Sequence, residues 1–254
     1  MLLRPALIAL QFLTRLPIRL EPPPAGREVG LSLLWYPAVG LLLGTLLWTT
    51  GLLLSPIAPS VAAAMILIVW VASTGALHLE GLADTADAWA GGRGERERML
   101  SIMKDPRSGP IAVVAVVCLL LLKFGALATL QEARPAPWNA LRLAYSYILP
   151  PVLARAAVPL LFAQTPYVRA QGLGAELAHF QSRTAGRWIT AVTALVALVV
   201  GGRYGLLAAT TATGVYLLMR GSFVRCLGGI TGDCIGAMIE VIEALALVSI
   251  LFLS

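Results

Sequence analysis

The chain has 254 residues, of which 58% are hydrophobic and only 13% charged, and its mean hydropathy is +0.83. About a quarter of the residues of a soluble domain would be charged, so the composition excludes a soluble domain. The net charge of +6 does not indicate nucleic-acid binding, because Lys and Arg collect on the cytoplasmic loops of membrane proteins. Three cysteines without metal-ligand spacing or a disulfide framework are expected to be apolar filler. We therefore predict an all-α, polytopic membrane protein with a single integral-membrane domain over residues 1–254.

The N-terminal stretch MLLRPALIALQFLTRLPIRL has a short apolar core with arginines at positions 4, 15 and 19. No small-residue cleavage site is evident, so a signal peptide is disfavoured. We expect an amphipathic helix in the membrane interface, with its arginines near lipid headgroups.

Apolar windows long enough to cross a bilayer follow along the chain. They cover residues 31–54, 57–78, 109–130, 138–163, 188–200, 204–219 and 236–254. The fifth window is short, so it could form a re-entrant helical pair with the sixth across GGRY. The prediction is therefore about six to seven transmembrane helices, in addition to the N-terminal interfacial helix.

Basic residues are distributed unequally between the two sides of this topology. Fourteen of the 19 lysines and arginines lie in the N-terminal segment and in the loops on its side of the membrane. Only Arg134 and Arg203 lie on the opposite side. The positive-inside rule places the side with 14 charges, and the acid-rich stretches described next, in the cytoplasm.

Three carboxylates follow the second apolar window in the stretch HLEGLADTADAW. Spacings of four and three residues place Glu80, Asp84 and Asp87 on one helical face. Like charges so close repel unless a cation lies among them, and carboxylate oxygens suit Mg²⁺. The alternative is a solvated helix end whose acids pair with nearby arginines. Because acids are costly to desolvate in a membrane, the metal site is favoured.

The next stretch, RGERERMLSIMKDPRSG, adds Asp105, which could be a fourth metal ligand or a general base. Cations beside a carboxylate–metal site suit phosphoryl chemistry, since they neutralise charge that develops on phosphate oxygens. The candidate cations for catalysis or substrate binding are Arg93, Arg96, Lys104 and Arg107.

A second acid-rich group opens the last apolar window, in GGITGDCIGAMIEVIEAL. Asp233, Glu240 and Glu243 follow one helical stripe, and small residues between them permit close helix packing. The glycines before them could let backbone N–H groups approach a phosphate or nucleotide. We therefore expect the three acids to contribute to substrate binding.

Two cations fall inside predicted spans and need partners there. Arg155 and Lys123 could both reach a polar cavity below the acids, and we count Arg155 among the substrate-binding candidates. Lys123 could equally extend its ammonium to the far interface. His78 lies on the helical face opposite Glu80, which favours a packing role.

These stretches resemble the cobalamin synthase family, the adenosylcobinamide-GDP ribazoletransferases. The resemblance covers nearly the whole chain, through FLTRLP, YPAVGLLLG, TGALHLEGLADTADAW, RMLSIMKDPRSG, YVRAQGLG and LGGITGDCIGAMIEVIE. The acid block together with IMKD is its most specific part.

The resemblance implies a plasma-membrane enzyme with Mg²⁺ as cofactor. An alcohol of α-ribazole, or of its 5′-phosphate, would attack the cobinamide-linked phosphorus of adenosylcobinamide-GDP, and GMP would leave. By resemblance, the metal-binding acids are Glu80, Asp84 and Asp87, the second catalytic stretch is Lys104, Asp105 and Arg107, and the closing motif is Thr231, Gly232, Asp233 and Glu240. Our own inference is that Asp87 or Asp105 is the general base.

The sequence departs from the family pattern at four positions. Glu80 stands where the family often has Asp, Ala88 replaces a common Gly, and Pro106 and Ser108 alter the usual KDSR run. No departure removes a charged group that the mechanism needs.

Two other classes stay open on the residues alone. A CDP-alcohol phosphotransferase also uses clustered aspartates, but its fuller Asp series with an Ala-Arg step is lacking. An ion-coupled transporter would place its acids near the midplane and show repeated halves, and neither is found. The sequence leaves open whether the chain forms a homo-oligomer.

Overall fold

A computed structural model describes residues 3–133 and 139–253, without the side chains of residues 139–142. The described residues form helices joined by short loops, with one isolated β-bridge between Tyr167 and Ile230. The helices are α1 (Leu3–Leu13), α2 (Gly26–Ser32), α3 (Tyr36–Leu53), α4 (Pro59–Thr74), α5 (Leu77–Gly91), α6 (Arg96–Ile102), α7 (Pro110–Glu132), α8 (Asn139–Gln164), α9 (Leu173–Phe180), α10 (Arg183–Leu227) and α11 (Gly232–Leu251). A short 3₁₀ turn over Leu33–Trp35 joins α2 to α3.

Five helical segments of the described chain are long and apolar enough to cross a membrane, and the bent pair α4–α5 makes a sixth. This confirms the predicted class, an all-α polytopic membrane protein. The five include α3 with the short helix before it, and α7, α8, α10 and α11.

The predicted break at GGRY is a sharp reversal inside α10. Gly202 has φ 53° and ψ −128°, which lie outside the helical region. Beyond it, Gly205 packs against the backbone of Ala197, and Thr190 and Thr213 from the two halves line one small cavity. The halves therefore lie side by side as a hairpin. Counting them as two segments gives seven, the upper value expected from the sequence.

Helices α8 and α11 form the centre of the molecule. In their most apolar stretches, 83% of the residues of α8 and 72% of those of α11 are buried, against 28% in α7 and 22% in α10. Helix α8 contacts α3, α10 and α11, whereas α7 packs on α4, α5 and α11. The outward faces of α7 and α10 are the apolar surfaces expected to meet lipid.

Glycines bring α3 into backbone contact with α8. A Cβ atom on Gly40 would lie 2.5 Å from the carbonyl oxygen of Pro151, and one on Gly44 would lie 2.6 Å from Cα of Ile148. The two glycines are four residues apart, the spacing that lets membrane helices approach closely. Since lipid is as apolar as the side chains, this close packing is a main source of stability between the helices.

The N-terminal helix α1 packs one face on the rest of the protein. Ile8, Ala9 and Leu13 are buried, while Leu3 is exposed. The guanidinium of Arg4 lies 3.1 Å from the carboxylate of Glu28 on α2. Helix α1 is amphipathic, as the sequence indicates, and its position in the membrane interface stays a prediction.

We expect Gly44→Leu to lower stability by about 1–3 kcal/mol, because the larger side chain cannot fit against the backbone of α8. The measurement is thermal unfolding of purified protein in detergent. Gly125→Leu is the matched control, since no described atom lies within 4 Å of a Cβ placed on Gly125. Equal unfolding temperatures for the two variants would show that the α3–α8 contact contributes little.

Candidate active site

A sharp turn before α5 sets the position of the first acid group. Gly75 and Ala76 adopt left-handed φ values of 65° and 59°, and the axes of α4 and α5 meet at 87°. The acids therefore do not continue the helix of the second apolar window, which ends at this turn. The acids nevertheless share α5, so their helical spacing holds.

Glu80 and Asp84 line a cavity of about 580 Å³ between α5 and the loop that follows α6. Lys104 and Asp105 from that loop line the same cavity. Within the described residues, neither the Glu80 nor the Asp84 carboxylate has a hydrogen-bond or ion-pair partner. Both carboxylates are therefore free to bind a ligand from this cavity.

Asp87 caps the N-terminus of α7. Its two carboxylate oxygens accept hydrogen bonds from the backbone N–H groups of Gly109, at 2.5 Å, and of Ala112, at 2.8 Å. A negative charge at this end also interacts favourably with the helix dipole. Asp87 faces a neighbouring cavity that Asp105 and Arg107 also line. Its evident effect is to fix α7 against α5.

Asp105 and Arg107 pair with each other. The guanidinium donates to both carboxylate oxygens, at 2.9 and 2.7 Å, and the Arg107 backbone N–H donates to Oδ1 at 3.0 Å. These hydrogen bonds lower the pKa of Asp105 to about 2. A carboxylate so weakly basic is a poor general base near neutral pH.

Arg169 connects the two acid-rich stretches. Its guanidinium donates to Asp233 Oδ2 at 2.5 Å and to the backbone carbonyl of Met103 at 3.3 Å. Thr231 caps α11 by accepting from the N–H of Cys234, and its hydroxyl donates to Asp233 Oδ2, both at 3.3 Å. Arg169 thus links the start of α11 to the segment that carries Lys104.

A short backbone pairing holds Arg169 in place. The N–H of Val168 donates to the carbonyl of Ile230 at 3.0 Å, and the N–H of Ile230 donates to the carbonyl of Pro166 at 2.9 Å. Arg169 is not among the site residues predicted from the sequence, because its charge was counted only for the topology. Its position in YVRAQGLG, one of the stretches that carry the family resemblance, was the available signal.

Close contact between α5 and α11 brings the two acid-rich stretches together. A Cβ atom on Gly81 would lie 2.7 Å from the carbonyl oxygen of Asp233, and one on Gly236 would lie 3.1 Å from Cα of His78. Asp84 consequently experiences the negative charge of Asp233 as well as that of Glu80 and Asp87 on its own helix.

Four other charged residues form a separate, buried cluster between α7, α8 and α11. Lys123 Nζ lies 2.7 Å from Glu240 and 2.6 Å from Glu243, and Arg155 pairs with Glu243. All four are at most 4% exposed. Lys123 also stacks over the ring of Trp70, so it does not extend to the far interface.

The remaining predicted substrate-binding residues lie apart from the Glu80–Asp84 cavity. Arg96 donates to the carbonyl of Leu227 at 2.7 Å, at the C-terminus of α10. Arg93 is exposed in the turn before α6. Thr231 is fully buried under the first turn of α11, whereas Gly232 lines a cavity beside Asp233.

The donor chemistry of the site fits Mg²⁺. Among the described residues, no three Asp, Glu, His or Cys side chains form a cluster able to hold a metal ion. Mg²⁺ usually binds through one or two carboxylates together with waters and substrate phosphates. Glu80 and Asp84, both unpartnered and open to one cavity, match that requirement. Asp87 and Asp105, predicted with them as ligands, already bind protein donors.

The fold and the site together define a membrane-embedded helical enzyme whose free carboxylates face a cavity with a lysine. The model of the cobalamin-5-phosphate synthase family matches residues 5–251, and the chain belongs to this family. The resemblance seen in the sequence is thereby confirmed, and the two other classes left open by the residues are set aside.

Curated relatives are similar along their whole length. The chain is 52% identical to the adenosylcobinamide-GDP ribazoletransferase of Stutzerimonas stutzeri (strain A1501), over 97% of each chain. It is 50% identical to the enzyme of that name from Pseudomonas entomophila (strain L48), over 97% of this chain and 98% of the relative. No solved structure matches the chain.

The Asp105 carboxylate is expected to titrate far below the working pH. A depressed pKa means that its ion pair with Arg107 persists at neutral pH and is lost only as the pH falls towards about 2. We therefore expect Asp105→Asn to leave the acidic midpoint of the pH dependence of kcat/KM unchanged. Glu97→Gln, on the exposed side of α6, is the control. A shifted or missing acidic limb in Asp105→Asn alone would make Asp105 the base.

Removing Lys123 should destabilise the protein strongly. In Lys123→Met, two buried carboxylates would share one cation, a loss of about 3–5 kcal/mol for a broken buried pair. Thermal unfolding in detergent measures this. Lys123→Met combined with Glu240→Gln restores neutrality and should recover part of the loss. No recovery would show that the cluster is not held by charge balance.

Proposed function

We propose that this protein joins α-ribazole, or its 5′-phosphate, to adenosylcobinamide-GDP with release of GMP. This transfer is the nucleotide-loop assembly step of cobalamin biosynthesis. The supporting observation is the cavity in which unpartnered Glu80 and Asp84 face Lys104. Family membership and relatives with this named activity support the substrate assignment.

The reaction is an exchange at one phosphorus atom. The alcohol oxygen of α-ribazole forms a bond to the cobinamide-linked phosphorus, and the bond from that phosphorus to the bridging oxygen of the diphosphate breaks. The electron pair leaves with GMP, and the alcohol gives up its proton. Negative charge accumulates on the bridging oxygen, so cations near it accelerate the step.

Two cations near the carboxylates support binding of the diphosphate. Lys104 lines the Glu80–Asp84 cavity and also a neighbouring cavity that Arg169 lines. Arg169 is held by Asp233, which leaves part of its guanidinium for a phosphate oxygen. These two side chains would orient the diphosphate towards α5 and offset the charge on departing GMP.

The carboxylates would perform the remaining work. Glu80 and Asp84 are the residues that would hold Mg²⁺, which when bound neutralises charge on phosphate oxygens. Asp87 and Asp105, the base candidates from the sequence, both bind other groups of the protein. We therefore assign acceptance of the alcohol proton to a carboxylate oxygen of Glu80 or Asp84 that the metal leaves free.

We also propose a plasma-membrane location with the site facing the cytoplasm. Support comes from the charge distribution, with 14 basic residues on the proposed inner side. On the outer side, Arg203 lies at the tip of the α10 hairpin, remote from the Arg183 and Arg225 ends. Arg134 lies outside the described residues.

The test is release of GMP from adenosylcobinamide-GDP plus α-ribazole by purified protein in detergent, with and without Mg²⁺. We expect metal-dependent release with a cobalamin product. Asp84→Asn should lower the rate at least a hundredfold while leaving thermal unfolding unchanged, because only a charge facing the cavity is lost. Glu97→Gln is again the control. Normal turnover of Asp84→Asn at limiting Mg²⁺ would refute the metal assignment, and no release by folded wild type would refute the function.

A further inference from the structure

A second cavity lies next to the site and differs from it in character. It has a volume of about 380 Å³ and lies between α1, α3, α5, α8, α9 and α11. Its apolar wall includes Phe12, Leu13, Tyr36, Val158, Phe162 and Leu177. Tyr167 stacks on Phe162, with ring centroids 6.0 Å apart and an interplanar angle of 22°. The cavity thus offers aromatic and aliphatic surface to a flat apolar group.

Two buried polar side chains in this wall, those of His78 and Tyr36, make no hydrogen bond to a described residue, and His78 has an enclosed ring nitrogen. His78 lines the cavity and is only 4% exposed. Its Nδ1 atom is enclosed without a hydrogen bond, and no described residue bonds to the other ring nitrogen. A buried polar group without a partner costs free energy unless a ligand satisfies it. The sequence favoured a packing role for His78, but packing alone does not explain a buried ring nitrogen without a hydrogen bond.

The rim of the cavity is the active site itself. Glu80 lines both this apolar cavity and the polar one that Asp84 and Lys104 line. Arg169 and Asp233 also stand at the apolar cavity. A ligand that filled the apolar interior would therefore project any attached polar group towards Glu80.

We propose that this cavity binds the heteroaromatic base of α-ribazole, with His78 as its hydrogen-bond partner. The inference rests on the proposed function, and it assigns the acceptor subsite of that reaction. The base is a flat, methyl-substituted benzimidazole with one ring nitrogen free to hydrogen-bond. Its ribose hydroxyls would emerge at the rim, where the attacking alcohol must meet the cobinamide-linked phosphorus.

The size and polarity of the cavity favour the benzimidazole base over the other parts of the two substrates. The cavity is at the small end of the roughly 300–1,000 Å³ typical of small-molecule sites, which is too small for a corrin macrocycle. Guanine carries several polar edge atoms, each of which needs a partner when buried. The apolar wall offers only the His78 imidazole and the Tyr36 hydroxyl among the described residues, which are too few partners for guanine and suit a base with one free nitrogen.

The test compares Michaelis constants for the two substrates in full-length protein. His78→Phe should raise the KM for α-ribazole about three- to tenfold, the loss expected for one hydrogen bond. The KM for adenosylcobinamide-GDP should stay within twofold. His78→Gln, which keeps a donor and an acceptor, should restore most of the affinity. Val158→Phe fills the cavity and should also raise the KM for α-ribazole.

Leu160→Phe is the matched control on α8, because Leu160 lines a different cavity. Binding of free 5,6-dimethylbenzimidazole, measured by equilibrium dialysis without the second substrate, gives a readout that needs no turnover. His78→Phe should weaken that binding by a similar factor, while Leu160→Phe should not.

Two outcomes would overturn the assignment of this cavity as the acceptor subsite. One is an unchanged KM for α-ribazole in both His78→Phe and Val158→Phe while wild type turns over normally. Another is a lipid that wild type retains and Val158→Phe loses in native mass spectrometry, with α-ribazole affinity unaltered. Failure of the proposed function looks different, because wild type would then release no GMP, whether or not it bound the free base.

Discussion

The backbone contact between α5 and α11 is the constraint on which the site depends. Gly81 and Gly236 let the two helices approach until side chains distant in the sequence share one region. Asp233, with Arg169 bound to it, then lies within electrostatic reach of Glu80 and Asp84. Any larger residue at this crossing would separate the acids from the cation that links them. The small residues of α11 therefore position the site residues as well as allowing close helix packing.

The charged residues discussed above fall into two groups, according to whether they have ion-pair partners. Lys123, Arg155, Glu240 and Glu243 are buried and balance one another, as charges removed from water must. They tie α7 and α8 to α11 and so fix the helix whose first turn carries Asp233. Glu80 and Asp84, which line the open cavity, lack such partners and keep their capacity to bind a ligand. The balanced cluster positions a helix, and the two unpartnered acids are the ones to which we assign the chemistry.

The sequence predicts the helical class and the common helix of Glu80, Asp84 and Asp87, because both depend on local spacing. A local pattern does not show how deeply a residue is buried, so Asp233 and Glu240 look equivalent on one helical stripe. In the structure Asp233 lines a cavity, whereas Glu240 is buried against Lys123. The capping role of Asp87 depends on where α7 begins in space, which no local pattern contains. Arg169 enters the site through a backbone pairing between distant loops. Long-range contacts, rather than local propensity, decide these three assignments.

The apolar and polar cavities meet at Glu80, and this junction has a chemical consequence. If α-ribazole is held through its apolar benzimidazole, the shape of the cavity mainly orients it, and one hydrogen bond fixes its direction. In the reaction we propose, the diphosphate would instead be held by charge, at Lys104 and Arg169, which line one cavity. The two modes of recognition would meet at Glu80 and Arg169, which also line the apolar cavity, so that each substrate could bind without displacing the other. Their reacting atoms would then meet at this boundary, beside the unpartnered carboxylate of Glu80.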